Sequence, residues 1–110
     1  MLTLESQVDV MARLGRALAD PTRGRILLAL AEGPRYPAAL AGDLGLTRSN
    51  VSNHLACLRG CGLVVATPQG RHMRYELADV RLRDVLALVF ELELVVECPD
   101  DCTPGAGPVA

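Results

Sequence analysis

LGLTRSNVSNHLACLRG, residues 44–60, is the stretch that decides the fold. Gly45 closes a short apolar segment, Thr47 is a helix-capping residue, and apolar side chains then recur at helical spacing as far as Gly60. At about 100° per residue, Val51, Leu55 and Leu58 share one face, which is the core side. Arg48, Ser49, Ser52, Asn53, Ala56 and Arg59 lie round another side and are polar or small, as a surface facing a DNA groove should be. Arginine pairs with guanine edges, asparagine with adenine, and serine with bases or phosphates. For such a helix taken alone, a merely solvated amphipathic surface is the bland alternative, and its neighbours decide against it.

Upstream, residues 38–44 read as a short helix, and a turn of about three residues before Thr47 completes a helix-turn-helix pattern. Downstream, LVVATPQGRHMRYEL, residues 63–77, reads as two strands joined at residues 68–70, with Arg71 and Arg74 towards the returning strand. A hairpin directly after the reading helix is a wing.

Further out, Val10, Met11, Leu14, Ala17 and Leu18 recur at helical spacing up to a stop near Asp20. Asp20 then caps a second helix with Pro21 at its first position, Ile26, Leu27 and Leu30 in the core, and Gly33 as its stop. Asp79 caps a last long helix expected to run to about Glu97. Its apolar positions fill two stripes, Val85, Leu88, Leu92 and Val96 beside Leu82, Leu86 and Leu94. So wide an apolar arc needs a second surface to cover it, and a second copy of the chain in a homodimer supplies one. The expected class is mainly α with a β-hairpin wing, organised as residues 1–97, for DNA binding and dimerisation, and a flexible tail, residues 98–110, rich in Pro, Gly and Asp.

Charge supports a DNA-facing centre. The formal net charge of −2 conceals a division: residues 44–75 carry four arginines, Arg48, Arg59, Arg71 and Arg74, and no acid, whereas eight acids face two arginines from Glu76 onward. The centre can therefore meet a polyanion although the chain as a whole is acidic. With only Phe90, Tyr36 and Tyr75 aromatic, the core is built from Leu, Val and Ala, which favours packed helices. Residues 1–10 lack the pattern of a secretory signal. Residues 85–96 contain Glu91 and Glu93 and are too short to span a bilayer. A soluble cytoplasmic protein is expected, with no membrane partner.

The reading of DNA has no use for thiols, yet the helix ends in Cys57 and Cys61, four residues apart. They project away from the Ser52 and Arg59 side, so they can bind something without being the DNA contact; small buried cysteines are the bland alternative. CPDDC in the tail adds Cys98 and Cys102, again four apart, in a segment too polar to be core. Three or four thiolates gathered round one ion suit a soft metal.

LADPTRGRILLAL, LGLTRSNVSNHLACLRGCGLV and GRHMRYEL together resemble the ArsR/SmtB family of winged-helix repressors, over roughly residues 14–77. The resemblance implies a homodimer that binds a twofold-symmetric double-stranded operator and leaves it when an inducer binds. Members that sense zinc or nickel use His and Asp on the last helix, but residues 80–97 contain no His. Others use a Cys-x-Cys pair before the turn, where this chain has ALAGDLGL. What remains is similar to a cadmium- and lead-sensing subtype that uses two cysteines of the reading helix and one from the C-terminal region. That similarity implicates Cys57, Cys61 and Cys102 as ligands of Cd(II) or Pb(II) as inducer, with no catalytic cofactor. Cys98 has no assured counterpart and stands as a fourth ligand, a spare, or the third ligand here. A redox switch in which the four thiols form disulfides is the alternative on the same scaffold. An enzyme is not expected: there is no Cys-x-x-Cys, and His54 and His72 fall in the DNA-facing region.

Overall fold

The computed structural model describes residues 3–95. The chain adopts the winged helix-turn-helix expected of it, in the order α1 (Leu4–Leu18), α2 (Pro21–Ala31), α3 (Pro37–Leu44), α4 (Arg48–Gly60), β1 (Val64–Gln69), β2 (His72–Leu77) and α5 (Arg81–Phe90). Local chemistry sets most of these boundaries. The Thr3 hydroxyl accepts from the Ser6 amide at 3.1 Å to start α1, and the Asp20 carboxylate accepts from the Thr22 and Arg23 amides at 2.8 and 3.3 Å to start α2. These satisfy amide donors that a helix N-terminus leaves unpaired. Pro21 and Pro37 stand at first helical positions, where a missing N–H costs nothing.

One core joins the elements. Ala17 of α1, Ile26, Leu27 and Leu30 of α2, Leu40 and Ala41 of α3, Val51, Leu55 and Leu58 of α4, Val64 of β1, and Leu82 and Leu86 of α5 are buried together. Every apolar position assigned from sequence to the inner faces of α2 and α4 is in it. The hairpin is antiparallel with Val64 opposite Leu77 and Gln69 opposite His72, which leaves Gly70 and Arg71 as the turn. Gly70 has φ 63°, as a tight turn requires. The connection is thus shorter than residues 68–70 suggested: Pro68 pairs with Met73 inside the strand, as proline can in a ribbon whose strands are both edges. Arg35 and Tyr75 exchange backbone hydrogen bonds at 2.9 and 2.8 Å, tying the wing to the segment between α2 and α3.

α5 departs from expectation. It ends at Phe90, and residues 92–95 are not helical, whereas the sequence reading carried it to Glu97, a residue outside the described ones. Glu91 and Glu93 put negative charge where the helix dipole is already negative, and acid alternates with apolar residue up to a β-branched Val95. Its N-cap is Val80, although Asp79 still serves the first turn by accepting from the Arg81 amide at 2.9 Å. Leu82 and Leu86 face the core, leaving Val85, Val89, Leu88 (62% exposed) and Phe90 (62%) outside. On α1, Leu4, Val8, Val10 and Met11 are likewise exposed. No helix among the described residues is long and apolar enough to cross a membrane.

Candidate functional site

α3 stops at Gly45, which takes φ 67° in the left-handed region, and the Thr47 hydroxyl then accepts from the Asn50 amide at 3.0 Å to start α4. This short turn fixes how α4 leaves α3. Because Val51, Leu55 and Leu58 are buried completely, the rest of the helix is turned outward. Arg48, Ser49, Ser52, Asn53 and Arg59 are all exposed, as is Arg71 at the wing turn. No acid lies in the first turn of α4. Arg74 is half-buried on β2, and its Nη2 stands 4.0 Å from Glu76 Oε2, so part of its charge is answered inside the wing. His72 is exposed and packs edge-on against Tyr36, with ring centroids 5.8 Å apart.

The two thiols of α4 lie away from the Ser52 and Arg59 side. Cys61 caps the helix with αR backbone angles, and its N–H donates to the Cys57 carbonyl at 3.0 Å. That closing bond keeps the residues one helical turn apart on one side, so Gly60 does not break their alignment. Both are free thiols, Cys57 exposed and Cys61 half-buried. They look towards α1 and α2. Arg23 Nη1 lies 3.5 Å from Cys57 Sγ, and Arg23 Nη2 donates to the Arg16 carbonyl at 2.8 Å. Arg23 Nη1 also stands 4.0 Å from Asp20 Oδ2, while its Nε is buried with no acceptor among the described residues. A buried donor left unpaired costs roughly 1–3 kcal/mol. Beside Cys61, Arg13 Nη1 donates to the Gly60 carbonyl at 3.4 Å and its Nε to Asp9 at 2.8 Å. The hydrogen bond to Asp9, then the charge of Asp9, raises the Arg13 pKa, with a smaller contribution in the same sense from Cys61.

Asp20 belongs to the same corner. Desolvation works to raise its carboxyl, but the amides of Thr22 and Arg23 and the charges of His54 and Arg23 together outweigh it and hold the pKa below the usual range. His54 Nδ1 is 4.0 Å from Asp20 Oδ2, so His54 faces the α2 cap instead of completing a ligand set with the cysteines. Among the described residues no group of three or more His, Cys, Asp or Glu side chains gathers round a point. Two free thiols held one turn apart are the right donors for a soft cation, and they form an incomplete set by themselves. Cys98 and Cys102 lie outside the described residues. Sequence reading did not find Arg13 and Arg23 at this site: Arg23 is 34 positions from Cys57, and no local pattern marks that contact.

The model for the family described as bacterial regulatory protein, arsR family, matches residues 20–65, from the α2 cap to β1. The HTH-type transcriptional regulator CmtR of Mycobacterium bovis is 60% identical over 102 residues, covering 93% of this chain and 86% of that protein. The NMR structure of the cadmium metal-sensor CmtR from Mycobacterium tuberculosis is similar with a TM-score of 0.66 at 61% identity, covering 86% of this chain and 98% of that one. The homodimeric winged helix-turn-helix DNA-binding domain Mb0332 from Mycobacterium bovis, a possible ArsR-family regulator, gives a TM-score of 0.71 at 33% identity, with 79% and 83% covered. With its exposed polar α4 above an apolar core, and identity of 60% along nearly its whole length, this chain belongs to the arsR family of bacterial regulatory proteins.

Proposed function

We propose that the chain is a metal-responsive repressor that binds double-stranded operator DNA as a homodimer in the cytoplasm and releases it when a soft thiophilic ion, Cd(II) or Pb(II), binds to cysteine thiolates. The observation that carries this reading is the pair Cys57 and Cys61, joined by the 3.0 Å backbone bond at the end of α4, away from the helix's exposed Ser52 and Arg59. The 61% identical structure of a cadmium metal-sensor supports it. Each thiol gives up its proton to solvent on ligation, and thiolate is soft enough to suit these ions over harder cations. Cys102, and Cys98 beside it, would complete the donor set from the tail. Since the tail follows α5, a third thiolate would tie the end of α4 to the end of the dimerisation helix, most simply that of the other protomer. A closed site of this kind can set the separation or tilt of the two reading helices.

On the DNA side, Arg48, Ser49, Ser52, Asn53 and Arg59 of α4 enter the major groove, and Arg71 and Arg74 of the wing hold phosphates. The exposed apolar residues of α1 and α5 cover one another across the dimer. The test is the ultraviolet absorbance of the reduced protein titrated anaerobically with Cd(II). A thiolate charge-transfer band that saturates at about one ion per subunit is expected. Absence of that band, with DNA release by peroxide alone, would replace metal sensing by a redox switch.

A further inference from the structure

Arg23 reaches three elements at once. Its own backbone lies in the first turn of α2, its Nη2 donates to the Arg16 carbonyl near the end of α1, and its Nη1 meets Cys57 Sγ on α4 at 3.5 Å. Its side chain is 21% exposed, and its buried Nε has no acceptor among the described residues. We propose that Arg23 is a positioning residue, through which ligation of Cys57 changes the seating of α4 on α1 and α2. The inference rests on the reading of Cys57 as a metal ligand.

In the structure the guanidinium faces the Cys57 sulfur at 3.5 Å, and a thiol is a weak acceptor. Ligation removes the thiol proton to solvent and leaves a sulfur with anionic character beside the cation. Hydrogen bonds to an ionised partner are shorter and about twice as strong as neutral ones. The guanidinium is a rigid planar fork, so its nitrogens cannot adjust independently. Nη2 is already anchored on α1 by the 2.8 Å bond to Arg16, so tightening at Nη1 draws α4 towards α1 and α2. Arg48, Ser52, Asn53 and Arg59 are carried on the same rigid helix and move with it. Because the bridge from α1 through Arg23 to Cys57 closes to different lengths in the two seatings of α4, an ion on that sulfur can favour one of them. Lysine would keep the charge but lose the fork, and glutamine would lose the charge.

Arg23→Lys and Arg23→Gln in the full chain test this, read by operator affinity with and without Cd(II), by Cd(II) affinity from the charge-transfer band, and by thermal melting. For Arg23→Lys, metal-free operator affinity and Cd(II) affinity should stay within about threefold of the parent, while the ratio of operator affinities without and with Cd(II) collapses to below about threefold. Arg23→Gln should lose the same ratio and also weaken Cd(II) binding roughly 10- to 100-fold, as loss of an outer-shell partner does. A parental ratio in Arg23→Lys would overturn the proposal, because charge alone would then suffice. If the variants fail to fold, the Arg23 Nε–H resonance of the parent decides: it should move on addition of Cd(II), and stay fixed in Cys57→Ser. A resonance indifferent to Cd(II) would overturn the proposal. A parent protein without any Cd(II) band would instead refute Cys57 as a ligand, and that result is read before any variant is made.

Discussion

The N–H of Cys61 donates to the carbonyl of Cys57 at 3.0 Å, so a backbone bond in the closing turn of the reading helix is also what aligns its two thiols. Because the bond is backbone to backbone, it survives replacement of either side chain. Cys57→Ser and Cys61→Ser should each leave a folded protein with parental operator affinity and a lost response to Cd(II), since serine keeps the size and removes the soft donor. Retention of the parental response in either variant, read by fluorescence anisotropy on labelled operator, would show that thiol to be no ligand.

The exposed arginines make a different prediction. Arg48→Ala and Arg71→Ala should weaken operator binding without changing the Cd(II) band, and each should reduce the salt slope by about one unit if a phosphate contact is lost. Arg74→Ala should do less, because Arg74 is half-buried and shares its charge with Glu76 at 4.0 Å. Affinities measured across a salt series separate the three.

The two sides of α5 should respond differently. Leu86 is 3% exposed, and Leu86→Ala should cost about 2–5 kcal/mol in denaturant unfolding. Leu88 is 62% exposed in the protomer, so Leu88→Glu should leave secondary structure intact and yield monomers in sedimentation, with operator affinity falling as half-sites bind singly. A Leu88→Glu protein that sediments as a parental dimer would remove this face from the interface.

Asp79 offers a test at the start of α5. The side-chain hydrogen bond from Arg81, then the Arg81 amide, lowers the carboxyl from 3.8 to about 2. A folded pKa below the unfolded one contributes stability that is present above about pH 4 and is lost as pH falls towards 2. The pair is largely exposed, so solvent screening keeps that contribution small. NMR titration of the Asp79 carboxyl should give the depressed value, and Arg81→Ala should return it most of the way to 3.8. An unchanged titration in Arg81→Ala would contradict the assigned cause.

The sequence displayed those parts of the site that local rules govern. Thr47, Gly45 and the spacing of Val51, Leu55 and Leu58 placed α4 and turned Arg48, Ser52 and Asn53 outward. The same periodicity set Cys57 and Cys61 away from the Ser52 and Arg59 side. What depends on contact between distant segments was not visible: Arg23 against Cys57 and Arg13 against Gly60 span 34 and 47 positions. The end of α5 was misjudged because apolar spacing continued past Phe90, while the acids at Glu91 and Glu93 already opposed further helix. The hairpin joins at Gly70 and Arg71 instead of residues 68–70, because a two-stranded ribbon leaves room for Pro68 inside the strand.

The central claim is that ligation at Cys57 and Cys61 lowers the affinity of α4 for DNA. Its most direct test is the operator dissociation constant of the reduced, full-length protein, measured anaerobically with and without saturating Cd(II), beside Cys57→Ser under the same conditions. Cd(II) should weaken the parent about 5- to 150-fold, a coupling of about 1–3 kcal/mol, and leave Cys57→Ser unchanged. Equal affinity of the parent with and without the ion, or equal weakening of Cys57→Ser, would contradict it.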